Sequence, residues 1–336
     1  MSVRPVFLAG LFLASCGADH GFAQTKPPTS EEVLAYLGFD AGARRDLIAG
    51  KIISKGFKEG TDKELAVTVA MVVSRPLADV FETARAGKTF QVDRDVIAFK
   101  DLGGQELKAE DFQGVKFSAE EAGEGRELQK AAAGSSFNLS SAEMEFLRTA
   151  AAQDAAVAYR RLLLDRCREY RAKGLAGIAP YSRGGKEQAR PGEELRLAAQ
   201  SAKLLAERFP AFHRVLVNYP RDDSKEFEHR FYWIKQRVEK RPCFILAHRV
   251  FYPRPDGCLI AERQFYVGHS YNSLQIVVGC LPVGDRTMLF YTNRTSTDQV
   301  AGFSSGLKHT MGRNMMRDEI VKWFEEIRKG PAGPKS

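Results

Sequence analysis

The chain has 336 residues, 44% of them apolar and 27% charged, with a formal net charge of +8. This composition excludes a disordered or collagen-like chain and is enough for a real hydrophobic core. The positive excess lies in residues 141–336, where basic and acidic side chains are interspersed. That reads either as a plain solvated surface or, for a chain outside the cytoplasm, as one that meets anionic headgroups or an acidic ligand rather than nucleic acid.

Residues 1–23 read as a signal peptide. MSVR gives a positive start, and the apolar run PVFLAGLFLAS follows, too short to span a bilayer as a mature helix. It ends in Leu13-Ala14-Ser15-Cys16, which resembles the lipobox of bacterial lipoproteins and implies acylation at Cys16. Gly21-Phe22-Ala23 offers an ordinary cleavage site instead. Both endings imply export, to the periplasm or to the outer membrane as a lipoprotein. No later run approaches 18 apolar residues, so any membrane tether runs through Cys16.

Residues 24–336 are expected to form a single α+β domain with a helix-rich middle at about 140–210. Ser30 followed by two glutamates opens a short helix, and Asp40 caps a second that ends at Gly50. Residues 51–57 and 64–73 read as strands; ELAVTVAMVV is apolar enough to be buried on both faces. Pro76 starts the helix LADVFETARAG. Residues 88–139 are read as short strands and loops. Ser140 and Glu143 resemble a capping box that opens one long helix over 141–173, closed by Gly174. A loop follows, then a helix from Pro191 to about Arg208.

From His229 onward the pattern changes. Strand-like runs at 229–238, 243–252, 257–267, 273–281 and 286–294 are separated by short turns, which requires an antiparallel meander. A long amphipathic helix closes the chain, with Leu307, Met311, Met315, Ile320, Phe324 and Ile327 read as one stripe.

Few motifs carry chemistry. Gly302–Gly306 matches G-x-S-x-G, but no strand runs into it and no acid-then-histidine order follows, so it is rejected as a nucleophile elbow. No metal-ligand spacing and no cofactor fingerprint is found. Cys258 and Cys280 have equal parity about a loop near His269, which places them close across adjacent strands, where a disulfide is feasible.

The densest polar chemistry lies in the meander. If RPDG closes a tight hairpin, positions summing to about 509 face each other. His248, Leu246, Arg263 and Phe265 then share a face with Phe244, Val250 and Val267. Arg263 and His248 amid apolar residues would suit an acidic ligand head, with His269 and Tyr271 in the next turn. The plain alternative is that Arg263 pairs with a carboxylate and GHSYN is only a turn.

The opening strand and proline-led helix ELAVTVAMVVSRPLADVFE, then the meander and the long last helix, resemble the START-like, helix-grip superfamily over about 64–86 and 229–329. The resemblance implies a curved antiparallel sheet packed on the C-terminal helix, with an apolar cavity between them that holds lipids or sterols. Met311 and Met315 would then adapt to its contents. The sequence reading is an envelope protein binding a hydrophobic, acidic-headed ligand such as a lipid. The alternatives are an envelope enzyme using His248, His269 or Tyr271 as acid or base, and an interaction protein with a solid core.

Overall fold

A computed structural model describes residues 28–329 apart from 104–105, 135, 151–153, 222–223 and 303–304. Residues 1–23, expected as a signal peptide with Cys16, lie outside the described residues, as do Phe303 and Ser304 of the G-x-S-x-G match.

The chain opens with helices α1 (Ser30–Tyr36) and α2 (Ala41–Ile48). Thr29 caps α1 reciprocally with Glu32, one residue before the expected start, and Asp40 caps α2 through the Ala43 N–H. Strands β1 (Ile53–Gly56) and β2 (Glu64–Val73) form a hairpin, and β2 is buried along almost its whole length. Helices α3 (Leu77–Arg85) and α4 (Lys88–Val92) lead into β3 (Val96–Asp101). Next come α5 (Ala122–Gln129), α6 (Ser141–Thr149) and α7 (Ala155–Lys173).

The expected 141–173 helix is therefore two. The Ser140–Glu143 capping box opens the first, and Asp154 caps the second. Gly174 ends α7 at φ +60°, where a Cβ would sit 1.9 Å from the Tyr219 carbonyl oxygen, so only glycine fits. The segment expected as loop holds a small hairpin, β4 (Tyr181–Gly184) and β5 (Glu187–Ala189). Helices α8 (Pro191–Gln200), α9 (Lys203–Arg208) and α10 (Pro210–Asn218) follow. Pro210 starts a helix here, because a first-turn proline forfeits no hydrogen bond.

The meander is β6 (Glu228–Val238), β7 (Arg241–Arg254), β8 (Gly257–Val267), β9 (Ser273–Val283) and β10 (Arg286–Ser296). Helix α11 (Ser305–Lys329) ends the described chain. One eight-stranded antiparallel sheet has the order β1-β2-β10-β9-β8-β7-β6-β3. The fold is α+β: a large curved antiparallel sheet with a C-terminal helix.

Helices cover both faces of this sheet. On one face α5–α10, with α1 and α2, pack on residues such as Phe244, Phe265, Val250 and Phe290. On the other, α3, α4 and α11 pack on Val69, Met71, Leu289 and Tyr291. We call these the α7 face and the α11 face. Gly279 lets Phe290 of the neighbouring strand lie flat on the α7 face, since a Cβ there would meet the ring at 2.0 Å.

The β7–β8 register pairs His248 with Arg263, two residues from the expected sum and of the same parity, so the expected faces hold there. A bulge between Leu246 and Ala247 breaks the alternation. Phe265 and Tyr266 both pack on the α7 face, and Val267 turns to the α11 face, contrary to expectation.

Candidate functional site

The α11 face is not filled. Between the sheet and α3, α4 and α11 lies a cavity of about 300 Å³. Its apolar walls include Val80, Phe90, Ile260, Ile276, Leu289 and Phe324. This volume falls at the lower end of the ~300–1,000 Å³ range of small-molecule pockets.

Adjacent strands set a polar cluster into the cavity wall. Arg249 of β7 and Glu262 of β8 are register partners. The Arg249 Nε donates to Glu262 Oε2 at 2.6 Å, and Nη1 donates to Thr89 Oγ1 at 3.2 Å. The guanidinium lies 3.8 Å from the Phe90 ring centroid, a desolvated cation–π contact. Gln264 Nε2 donates to Glu262 Oε1 at 3.0 Å, and the Tyr271 hydroxyl donates to Gln264 Oε1. Asp93 and Tyr291 also line the space. Burial, reinforced by the neighbouring negative charges of Asp95 and Glu262, pushes the Asp93 carboxyl above the usual carboxylate range. Burial likewise pushes the Tyr271 and Tyr291 phenols upward. The wall thus offers the amide of Gln264 and the phenols of Tyr271 and Tyr291 around the internally paired Arg249 and Glu262, with Arg75 and Asp93 also lining the space.

The residues expected from sequence go to different places. Tyr271 lines the cavity. His248, Arg263 and Phe265 lie together, as expected, but on the α7 face under helices rather than against a ligand space. Phe265 stacks on Tyr170 at 4.0 Å. Arg263 Nε and Nη2 donate to Gln275 Oε1, each at 3.1 Å, and Nη2 also donates to the Leu216 carbonyl. Among the described residues no acidic side chain pairs with Arg263; amide and carbonyl oxygens hold it, and burial pushes its pKa below the ordinary guanidinium value.

His248 Nδ1 is hydrogen-bonded to the Tyr170 hydroxyl and its Nε2 to His229 Nδ1, both at 2.9 Å. Burial, then the positive potential of His229, Arg263 and Arg171, holds its pKa well below the ordinary histidine value. His269 sits in the β8–β9 turn, bonded to Ser270 and the Pro242 carbonyl, and burial lowers its pKa as well. His248, His269 and Tyr271, the trio proposed for acid–base work, are thus not brought to one site.

Met311 and Met315 are 57% and 69% exposed. The expected stripe is really two. At ~100° per residue, Met311 and Ile320 lie half a turn apart, as do Met315 and Phe324. The helix buries the side bearing Ile320 and Phe324, with Met316, Trp323 and Ile327 beside them. Cys258 and Cys280 are register partners with buried free thiols, and Cys280 borders the cavity.

Sequence reading missed Arg249, Glu262 and Gln264. Their signal was present: each neighbours in sequence a residue that was chosen, and belongs to the opposite parity of the same two strands. No family model, no curated protein and no solved structure matches this chain.

Proposed function

We propose that this chain is an exported cell-envelope protein that binds a small, largely apolar molecule in the cavity of its α11 face. The observation that carries the reading is that cavity: apolar walls, with a hydrogen-bonded polar cluster at one place in them. Burying roughly 200 Å² of ligand hydrocarbon contributes about 5 kcal/mol before the entropic cost of association. The leader and Leu13-Ala14-Ser15-Cys16 support export.

The polar end of the ligand is uncharged in this reading. Arg249 is already paired with Glu262, and Arg75 follows β2 beside Thr287, at the other end of β10 from Gln264 and Tyr271, so a carboxylate head placed at this cluster would meet Glu262. A hydroxyl or amide instead matches Gln264, Tyr271 and Tyr291. The acidic head expected from Arg263 is set aside, because Arg263 lies on the other face.

The two tryptophans supply the test. Trp323 borders the cavity, whereas Trp233 packs on the α7 face, its Nε1 donating to the Asp111 carbonyl. Titration with a brominated medium-chain alcohol should quench fluorescence saturably. The response should vanish in Trp323→Phe. Quenching that does not saturate, or that survives in Trp323→Phe, would count against the cavity as the site.

A further inference from the structure

Helix α11 changes character along its length. Its second half seats Ile320, Phe324 and Ile327 against the sheet and mixes charges of both signs outside. Its first half does the opposite. Leu307, Met311 and Met315 recur every four residues and are 65%, 57% and 69% exposed. Soluble surfaces scatter single apolar residues, but three in register on one helix face form a patch.

Cations outnumber acids around this patch. Residues 305–317 contain Lys308, Arg313 and Arg317 and no aspartate or glutamate. By helical position Lys308 flanks one side of the stripe and Arg317 the other. The groove beside α11 adds Lys55 and Lys58 against Glu59 and Asp62, with the half-exposed ring of Tyr36. Glu59 takes up part of Arg313, and Asp318 part of Arg317. Lys308 and Lys55 donate to the backbone carbonyls of Ala301 and Gly38, which cancels none of their charge.

We propose that the first half of α11 is a docking face for an anionic lipid surface, with Leu307, Met311 and Met315 entering the headgroup boundary and the flanking cations meeting lipid phosphates. Exposed flexible apolar side chains between cations are the pattern that partitions into such an interface. A second copy of the chain fits less well. A self-complementary contact on this face would set Lys308, Arg313 and Arg317 against their own copies. The patch does not line the cavity, so the inference stands independently of what the cavity holds.

The test places an environment-sensitive fluorophore on the patch. Met311→Cys is labelled in a full-length Cys16→Ala background, the four remaining described cysteines being buried. Glu325→Cys, farther along α11, is the control. With vesicles of phosphatidylglycerol and phosphatidylethanolamine, the label at position 311 should shift to the blue and brighten, while the label at 325 should not. A combined Lys55→Gln, Lys308→Gln and Arg317→Gln change should weaken vesicle partitioning by about 10- to 100-fold. Raising salt to about 0.5 M should weaken it similarly.

No shift at 311 on anionic vesicles would overturn the proposal. So would an equal shift on pure phosphatidylcholine that ignores the charge changes. A shift that grows with protein concentration in the absence of vesicles would assign the face to a second copy and also overturn it.

Discussion

The two faces of one sheet are built differently. The α7 face is closed by the helices of the middle region and contains stacked aromatic pairs, a chain from buried Tyr170 and His248 to part-buried His229, and an arginine held by carbonyl and amide oxygens. The α11 face is covered by fewer helices and keeps a cavity of about 300 Å³. Polar groups on the first face satisfy one another among packed side chains and act as structure. Polar groups on the second border space, and there they are available to a ligand. The same alternating strands feed both: His248 and Arg263 go one way, Arg249 and Glu262 the other.

Truncation should separate the faces most clearly. Phe265→Ala removes a stacked, fully enclosed ring and should cost about 3–5 kcal/mol in urea unfolding. Leu289→Ala, whose side chain already borders the cavity, should fall near the low end, about 2 kcal/mol. Equal costs would break the comparison.

Filling is the next largest contrast. On a close-packed face, Val278→Phe or Ile276→Phe would overpack and cost about 1–3 kcal/mol. Both side chains border the cavity, so stability should hold or rise while binding of the brominated alcohol falls.

The α7 face also makes a pH prediction. The His248 pKa is depressed by burial, so the unfolded chain binds more protons than the native state below the ordinary histidine pKa. Its contribution is complete above pH ~6.5 and is lost as pH falls through the folded value, by up to about 1.4 kcal/mol per pH unit. His269, also depressed by burial, adds in the same direction. Denaturation midpoints between pH 7.5 and 5 should show the decline, and His248→Gln should flatten it. An unchanged slope in that variant would remove His248 from the account.

The smallest effect concerns the exposed methionine stripe. Met315→Trp should alter stability by no more than about 0.5 kcal/mol, because Met315 lies outside both cores. A loss above 1 kcal/mol by thermal denaturation would mean that this side of α11 is packed.

Much of the architecture was legible because its signals are local. Short turns force an antiparallel meander, and the unbroken apolar run of β2 requires cover on both faces. The capping residues Asp40 and Ser140 fixed helix starts by their own side-chain chemistry. Residues 88–139, read as short strands and loops, do hold the edge strand β3, paired with distant β6, but also the helices α4 and α5, which that reading did not expect. The bulge at Leu246/Ala247 depends on pairing and leaves no mark in one strand alone.

The site was less legible than the fold. Parity assigned His248 and Arg263 to one face correctly but could not say which face keeps an opening, because helices from residues 122–218 cover theirs. Periodicity found α11 but merged two sides of it, since the five-residue step from Met315 to Ile320 carries the run around the helix.

Native mass spectrometry of the gently purified full-length protein, followed by organic extraction, asks whether the α11 face holds a small apolar molecule with an uncharged polar end. An adduct near one per chain is expected, released by extraction as an apolar alcohol- or amide-bearing molecule and strongly reduced in Ile276→Phe. A native mass equal to the chain and its covalent modifications alone, with no uptake of added medium-chain alcohol, would contradict this reading.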